Sequence, residues 1–358
     1  MMTNPFMVLV DRFFGRNRYG VTKPSMDGAL RPNSMLDEAG VLLAGDESDN
    51  VVCHEGSVLF TVGREVRRLG PDGQVDTVHQ LPAVATAMTV SPAGRLAVAL
   101  ADGFIMVFDK GHPTTLRAPV DYGLKCLTAL AFLSDDELVL ANGSSRHAPS
   151  AWQADLMERN RTGSVWRLSV LNDKMQRLAG GLGYPCGLLP DGDAVVVAEA
   201  WSHRLVRVSL ASKACEPVLV DLPAYPGRMV RDAQGAPWLC LFAPRSQLIE
   251  FVLREPQYCR EMMRTIPRDY WIAPAYRSGD SFHEPLQGGS VKQMGILKPW
   301  APTRSYGLVV KLDAQFQPVA SFHSRADGKR HGVTSITPHG TGMVVSSRGG
   351  RALLALQA

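Results

Sequence analysis

The sequence predicts an all-β protein: a six-bladed β-propeller with a mainly helical lid inserted in blade 5. Three observations carry this. One pattern recurs six times along the 358 residues: an apolar β-branched run, a tight turn, and a second apolar run. A third apolar strand follows every such hairpin, and a fourth follows five of them. The sixth set ends at Ala358 without a fourth strand, while AGVLLAG (39–45) stands unassigned near the start. Six sets of four strands make a six-bladed ring, and an early strand that closes the last blade leaves little open sheet edge. An open β-solenoid would show a shorter repeat.

Taken in order, the first strands are NVVC, AMTV, TALAFL, GLL, RMV and TSIT. The turns after them are His54-Glu55-Gly56, Ser91-Pro92-Ala93-Gly94, Ser134-Asp135-Asp136, Pro190-Asp191-Gly192, Asp232-Ala233-Gln234-Gly235 and Pro338-His339-Gly340. Asp and Gly there supply local hydrogen bonds and positive φ. The second strands are SVLFTV, RLAVAL, ELVLA, AVVVAEA, PWLCLF and GMVVSS. REVRRL, FIMVFD, GSVWRLSV, RLVRVSL, GLVVKLD and RALLAL come third, and QVDTV, TTLRA, MQRLA, EPVLV and QPVASF fourth.

Propeller topology then places residues. If the innermost strand of each blade starts at the top of the channel, the hairpin turns lie at the bottom. The links from second to third strand return to the top. Four of these links are short: GRE, ADG, WSHR and SRGG. Blade 3 carries an insertion at about 142–162 and blade 5 one at about 243–306, both at the same mouth. In the second, Leu248, Ile249, Val252 and Leu253 share one helical side. Pro256 permits a new helix over 257–265. Tyr258, Met262, Met263, Tyr270 and Trp271 make this a lid suited to covering a small-molecule pocket, or a cap that only covers apolar surface. The glycine-rich run 288–295 lacks Walker spacing and reads as the flexible return of the lid, with Lys292 and Lys298 either at the surface, the commoner case, or facing the pocket. The chain divides into an N-terminal extension, 1–38, and one propeller domain, 39–358.

Composition excludes several partners. The apolar fraction is 45% and the charged fraction 20%, ordinary for a globular chain. Lys plus Arg number 38 and Asp plus Glu 34, a formal charge of +4, too balanced to imply nucleic acid. No window approaches 18 uninterrupted apolar residues, so no membrane partner is expected. The start of the chain lacks a basic leader and a small-residue cleavage site. The six cysteines form no C-x-x-C pair and lie mostly in apolar runs, which reads as buried, reduced thiols in a cytoplasmic protein.

The run 162–238 resembles the strictosidine synthase-like family, related to paraoxonases and gluconolactonases. The matching pieces are TGSVWRLSV, GLGYPCGLLPDGDAVVVAEAWSHRLVRVSL and DLPAYPGRMVRDAQGAPWLC. The likeness is strong in blades 3 to 5, fair over 306–356 and weak over the first 45 residues. It implies a six-bladed propeller with its pocket at the top of the channel. Metal-dependent relatives hold calcium at the starts of the inner strands. The equivalents here are Asp49, Thr128, Cys186, Gly227 and Arg228. A thiol and a guanidinium replace oxygen ligands, so no metal and no cofactor is expected. The family's plant enzyme condenses an amine with an aldehyde through a glutamate entering the last blade. That position falls here at Thr334, with His331 near the expected histidine.

The polar residues at the mouth supply the candidate site. Asp49, Cys186, Glu199, His203 and His331 are the catalytic candidates. Glu199 and His203 flank one top link as an acid/base pair, or Glu199 is a strand-end hydrogen-bond partner. Cys186 near Arg228 would be a stabilised thiolate, or a small apolar filler in a former metal site. Arg228, Thr128, His147, Trp201, Tyr225 and Thr334 are the binding candidates. Arg228 either anchors an anionic ligand or pairs with Asp49. Ser144, His147 and Asp155 lack a G-x-S-x-G elbow and do not read as a hydrolase triad. The expected function is a small-molecule enzyme that hydrolyses a lactone or ester, or condenses or cleaves a small polar substrate. A non-catalytic ligand-binding or protein-interaction propeller is the alternative.

Overall fold

The structure, a computed structural model, describes residues 23–357 except 111, 118–121, 293 and 294. The segment read for a leader, the last residue of TTLRA, and Gln293 and Met294 of the glycine-rich run lie outside the described residues. Blade 1 comprises Asp49–His54, Ser57–Val62, Glu65–Leu69 and Val75–Gln80. Blade 2 comprises Ala85–Val90, Leu96–Leu100, Phe104–Asp109 and His112–Arg117. Leu127–Ser134, Glu137–Asn142, Gly163–Ser169 and Met175–Leu182 make blade 3. Pro185–Asp191, Ala194–Glu199, Arg204–Ser209 and Cys215–Leu219 make blade 4. Blade 5 is Ala224–Arg231, Pro237–Pro244, Gly307–Leu312 and Pro318–Ser324. Blade 6 is Val333–His339, Gly342–Ser347 and Ala352–Leu356, completed by Gly40–Ala44.

The expected closure is observed. Gly40–Ala44 runs antiparallel to Ala352–Leu356, with Gly40 opposite Ala355 and Ala44 opposite Ala352. The innermost strands neighbour one another in sequence order, and the sixth touches the first, so the ring is complete.

Apolar side chains fill the gaps between blades. Val98, Leu96 and Leu59 pack blade 1 on blade 2, Val197, Val139 and Leu188 pack blade 3 on blade 4, and Leu308, Leu239 and Val196 join blades 4 and 5. Second strands are buried on both faces, which is why they read as unbroken apolar runs and not as alternations. Gly187 shows how tightly the inner strands converge: a Cβ there would lie 2.0 Å from the Gly227 carbonyl oxygen.

The bottom turns, expected to make only local hydrogen bonds, also tie blades together. Asp135 Oδ1 accepts from Ser91 Oγ at 2.6 Å and from the Ala93 amide at 2.8 Å. Asp191 accepts from Arg207 at 2.5 Å and Arg231 at 2.6 Å. Residues 28–38 cover the outer strand of blade 5: Asn33 Nδ2 donates to the Ser321 carbonyl at 2.8 Å, and Leu36 is fully buried. Four of the six free thiols, Cys126, Cys186, Cys240 and Cys259, are buried, Cys53 is half-buried and Cys215 is exposed. No helix among the described residues is long and apolar enough to cross a membrane.

The expected helices form at Gln247–Val252 and Pro256–Thr265, but neither lines the cavity described below, and most of the other described residues of the blade 5 insertion are irregular chain, so the insertion is not mainly helical. The blade 3 insertion holds a further short helix, Trp152–Met157. Gln153 joins the two insertions with both ends of its amide. Its Nε2 donates to the Pro274 carbonyl at 2.8 Å, and its Oε1 accepts from Arg268 Nε at 2.6 Å.

Candidate functional site

Between the strand starts and the two insertions lies a cavity of about 630 Å3. Its floor is made by Asp49, Thr86, Thr128, Cys186, Arg228 and Thr334, one residue from the head of each innermost strand. Its walls are Trp152, Tyr184, Phe242 and Tyr276, with Arg348 from the blade 6 link. The aromatic wall is continuous: Trp152 lies 5.1 Å from Tyr276 and 5.6 Å from Phe242, ring centre to ring centre. Tyr184 adopts the left-handed region, φ +57°, an uncommon conformation for a bulky residue.

Arg228 is the centre of the floor. Its Nη1 donates to Asp49 Oδ1 at 2.9 Å and to the Thr334 carbonyl at 3.0 Å, and its Nη2 to the Thr86 carbonyl at 2.7 Å. One guanidinium thus gathers a carboxylate and two carbonyls from blades 1, 2 and 6. These are hard oxygens of the sort that surround a divalent cation. With a fixed positive charge already among them, and the Cys186 thiol at the neighbouring strand head, the residues do not fit a metal ion there. Of the two readings of Arg228, the structure carries the pairing with Asp49.

Asp49 Oδ1 also accepts from the Asn50 amide at 2.7 Å, while Oδ2 has Arg348 Nη1 at 3.7 Å. Burial pushes this carboxyl up, but Arg228, Arg348 and hydrogen bonding from Thr334 and Asn50 together outweigh it and hold it below the usual carboxylate range. Cys186 is on the floor, yet burial pushes its thiol up to about 12 against the pull of Arg228. Its Sγ donates to the Pro226 carbonyl at 3.1 Å. It is a protonated thiol in the floor, which corrects the thiolate reading. Thr128 lines the cavity with its hydroxyl donated to the Pro185 carbonyl at 2.6 Å.

The remaining candidates do not line the cavity. Glu199 is fully buried below the rim, where Oε1 accepts from Ser202 Oγ at 2.6 Å, the Gly183 amide at 2.8 Å and Arg161 at 2.9 Å. Oε2 accepts from Arg204 Nε at 2.6 Å, so both oxygens are used in holding the strand end. Its expected pairing with His203 is not formed. The intervening Ala200–Ser202 is a turn of 3-10 helix, and His203 follows at φ +49°. The ring faces Glu250 instead, with Nε2 3.8 Å from Oε1. Burial, then Arg245, pushes it down to about 3, and it stays neutral. His331 is also buried: Ser305 Oγ lies 2.8 Å from Nδ1, and Nε2 lies 2.7 Å from the Arg325 carbonyl. His147 pairs with Glu158 at 2.9 Å outside the cavity. Trp201 stacks behind Tyr184 at 4.5 Å and donates to Asp155 at 2.8 Å, and Tyr225 is buried behind Phe242.

Sequence reasoning missed Thr86, Arg348 and the aromatic wall. The first two were available from topology alone: Thr86 heads the blade 2 inner strand, and Arg348 sits in the short link SRGG. Trp152 and Tyr276 lie in insertions whose paths no periodicity fixes.

No family model matches the chain, and no curated protein matches it in sequence. Solved structures do match in fold. A calcium-binding protein, regucalcin from Agrobacterium tumefaciens, superposes with a TM-score of 0.54 at 13% identity, covering 89% of this chain and 95% of its own. A gluconolactonase from Xanthomonas campestris gives 0.56 at 15% identity, covering 88% of each. A streptogramin B lyase gives 0.51 at 11%, covering 87% of this chain and 94% of its own. At such identities the likeness establishes the six-bladed propeller fold that this chain shares with gluconolactonase- and regucalcin-like proteins.

Proposed function

We propose that the chain is a small-molecule hydrolase that opens a lactone or ester in the top cavity without a metal ion. The observation that carries this is the floor: a carboxylate held ionised beside a fixed guanidinium, under a lid with an aromatic wall. Asp49 Oδ2 is the oxygen not bonded by Arg228 or Asn50. In the reaction, water adds through oxygen to the substrate's carbonyl carbon while Oδ2 takes the water's proton. The oxyanion forms beside the positive charge of Arg228, fixed before the reaction begins. The acyl–oxygen bond then breaks, the departing alkoxide takes the proton from Oδ2, and a hydroxy acid, or an acid and an alcohol, is released. Support comes also from the shared fold, since one of the matching structures is described as a gluconolactonase. The condensation implied by the strictosidine synthase-like resemblance is disfavoured, because Thr334 stands where that reaction's glutamate would be.

A panel of aliphatic lactones and aryl esters tests the reading. Turnover is expected for at least one class, with kcat/KM falling about 100-fold or more in Asp49→Asn, assayed where circular dichroism shows that variant folded. No turnover across the panel, or full activity in Asp49→Asn, rejects it.

A further inference from the structure

Resting on that reading of the cavity, we propose that its substrate carries a carboxylate on an aromatic or similarly flat body, and that Arg348, not Arg228, receives the anion. Both arginines line the cavity, but their donors are differently engaged. Arg228 has both terminal nitrogens bonded to Asp49, Thr86 and Thr334. Its Nε is buried without a partner, and an anion seeking a two-point contact at the terminal nitrogens would compete with these three oxygens, which is costly if any is left buried without a donor. The Arg348 guanidinium makes no hydrogen bond to any described residue. The nearest carboxylates are Asp49 at 3.7 Å and Glu47 at 3.9 Å, beyond hydrogen-bond reach. Its side chain is 38% exposed, so the fork is open to the cavity mouth. A carboxylate can therefore be taken by two parallel N–H bonds without breaking any bond.

The fork is also held in place. Its carbon lies 5.0 Å from the centre of the Tyr276 ring, a cation–π contact that restrains the guanidinium plane. Tyr276 is seated by main-chain contact with the blade 6 link. A Cβ at Gly349 would come 1.8 Å from the Tyr276 carbonyl oxygen, and one at Gly332 within 2.7 Å of it. The Arg348 amide itself donates to the Gly332 carbonyl at 3.0 Å. From Tyr276 the wall continues through Trp152 and Phe242, each within 5.8 Å of the next ring. A flat body on that wall with its anion on Arg348 uses both features at once.

Charge balance points the same way. The lining holds Arg228, Arg268 and Arg348 against Asp49 and Asp269. That is one more cation than anion in the lining, and while Arg228 is hydrogen-bonded to Asp49 and Arg268 to Gln153, Arg348 has only longer ion pairs, to Asp49 and to Glu47 outside the lining. The gain is limited by solvent at the half-exposed fork.

The test is equilibrium titration calorimetry of the full chain with 3-phenylpropanoate and with its neutral match, 3-phenylpropanamide. At low ionic strength the acid is expected to bind about tenfold tighter or better. In Arg348→Met the advantage disappears while the amide binds as before, and in Arg348→Lys part of it returns. Thermal melts check that each variant is folded, and Arg348→Gln replaces the Met variant if that one is not. Equal binding of acid and amide, an acid preference that survives loss of Arg348, or no binding of the acid at millimolar concentration overturns the proposal. Because these titrations need no turnover, the two readings fail separately. Acid preference in a protein that hydrolyses nothing removes the hydrolase reading alone, and turnover without acid preference removes the anion receptor alone.

Discussion

At Arg228 one side chain does what several ligands and an ion do in a metal site: it neutralises Asp49 and satisfies two carbonyls across the channel. Removing it in Arg228→Met strands a nearly buried carboxylate, so a loss of ~3 kcal/mol or more is expected in a denaturant melt. Arg348→Met, by contrast, should change stability by less than ~1 kcal/mol. The carboxyl of Asp49 is depressed in the folded protein. It therefore contributes stability that is complete above the unfolded value, near pH ~4, and lost as pH falls through the folded one. Melts of wild type and Asp49→Asn should differ at neutral pH and converge in acid. A difference independent of pH would mean that Asp49 is not an ion in the native state. Asp49 and Arg228 were legible in the sequence because topology alone puts strand heads on the channel axis. Glu199 and His203 were legible as positions but not as partners. Their spacing says nothing of the left-handed backbone at His203 that sends its ring toward Glu250.

The lid shows which elements declare themselves. Pro256–Thr265 was readable because proline pre-forms a first helical turn and ten residues give a period to follow. Trp152–Met157 was not singled out as a helix, although Gln247–Val252, of the same length, was read from the spacing of its apolar residues. The described residues of 271–306 follow a path set by contacts with other elements, which no local pattern encodes. The seat of Tyr276 on Gly349 is one such contact, and it can be tested. Gly349→Ala must push the lid chain off the blade 6 link. A lower melting temperature and a raised KM, with kcat within about threefold of wild type, are expected. Unchanged KM would show that the seat does not set the cavity wall.

For the whole molecule, the ring was the most legible feature, because strand and turn repeat six times while only the insertions vary. Its closure depends on residues far apart in the chain. Deleting residues 1–46 removes the edge strand of blade 6 and the fully buried Leu36. A loss of more than ~3 kcal/mol is expected, and a truncated chain that melts like the full one would contradict the closed ring as a source of stability. The cavity belongs to this level too, since its floor draws on all six blades and exists only in the closed ring. The central claim is that its chemistry runs on Asp49 and a built-in guanidinium in place of a metal ion. The direct measurement is the hydrolysis rate of the best substrate from the panel, before and after exhaustive chelation and again with calcium restored. The account predicts one rate under all three conditions, lowered about 100-fold or more in Asp49→Asn. A rate that vanishes with chelator and returns with calcium would contradict it.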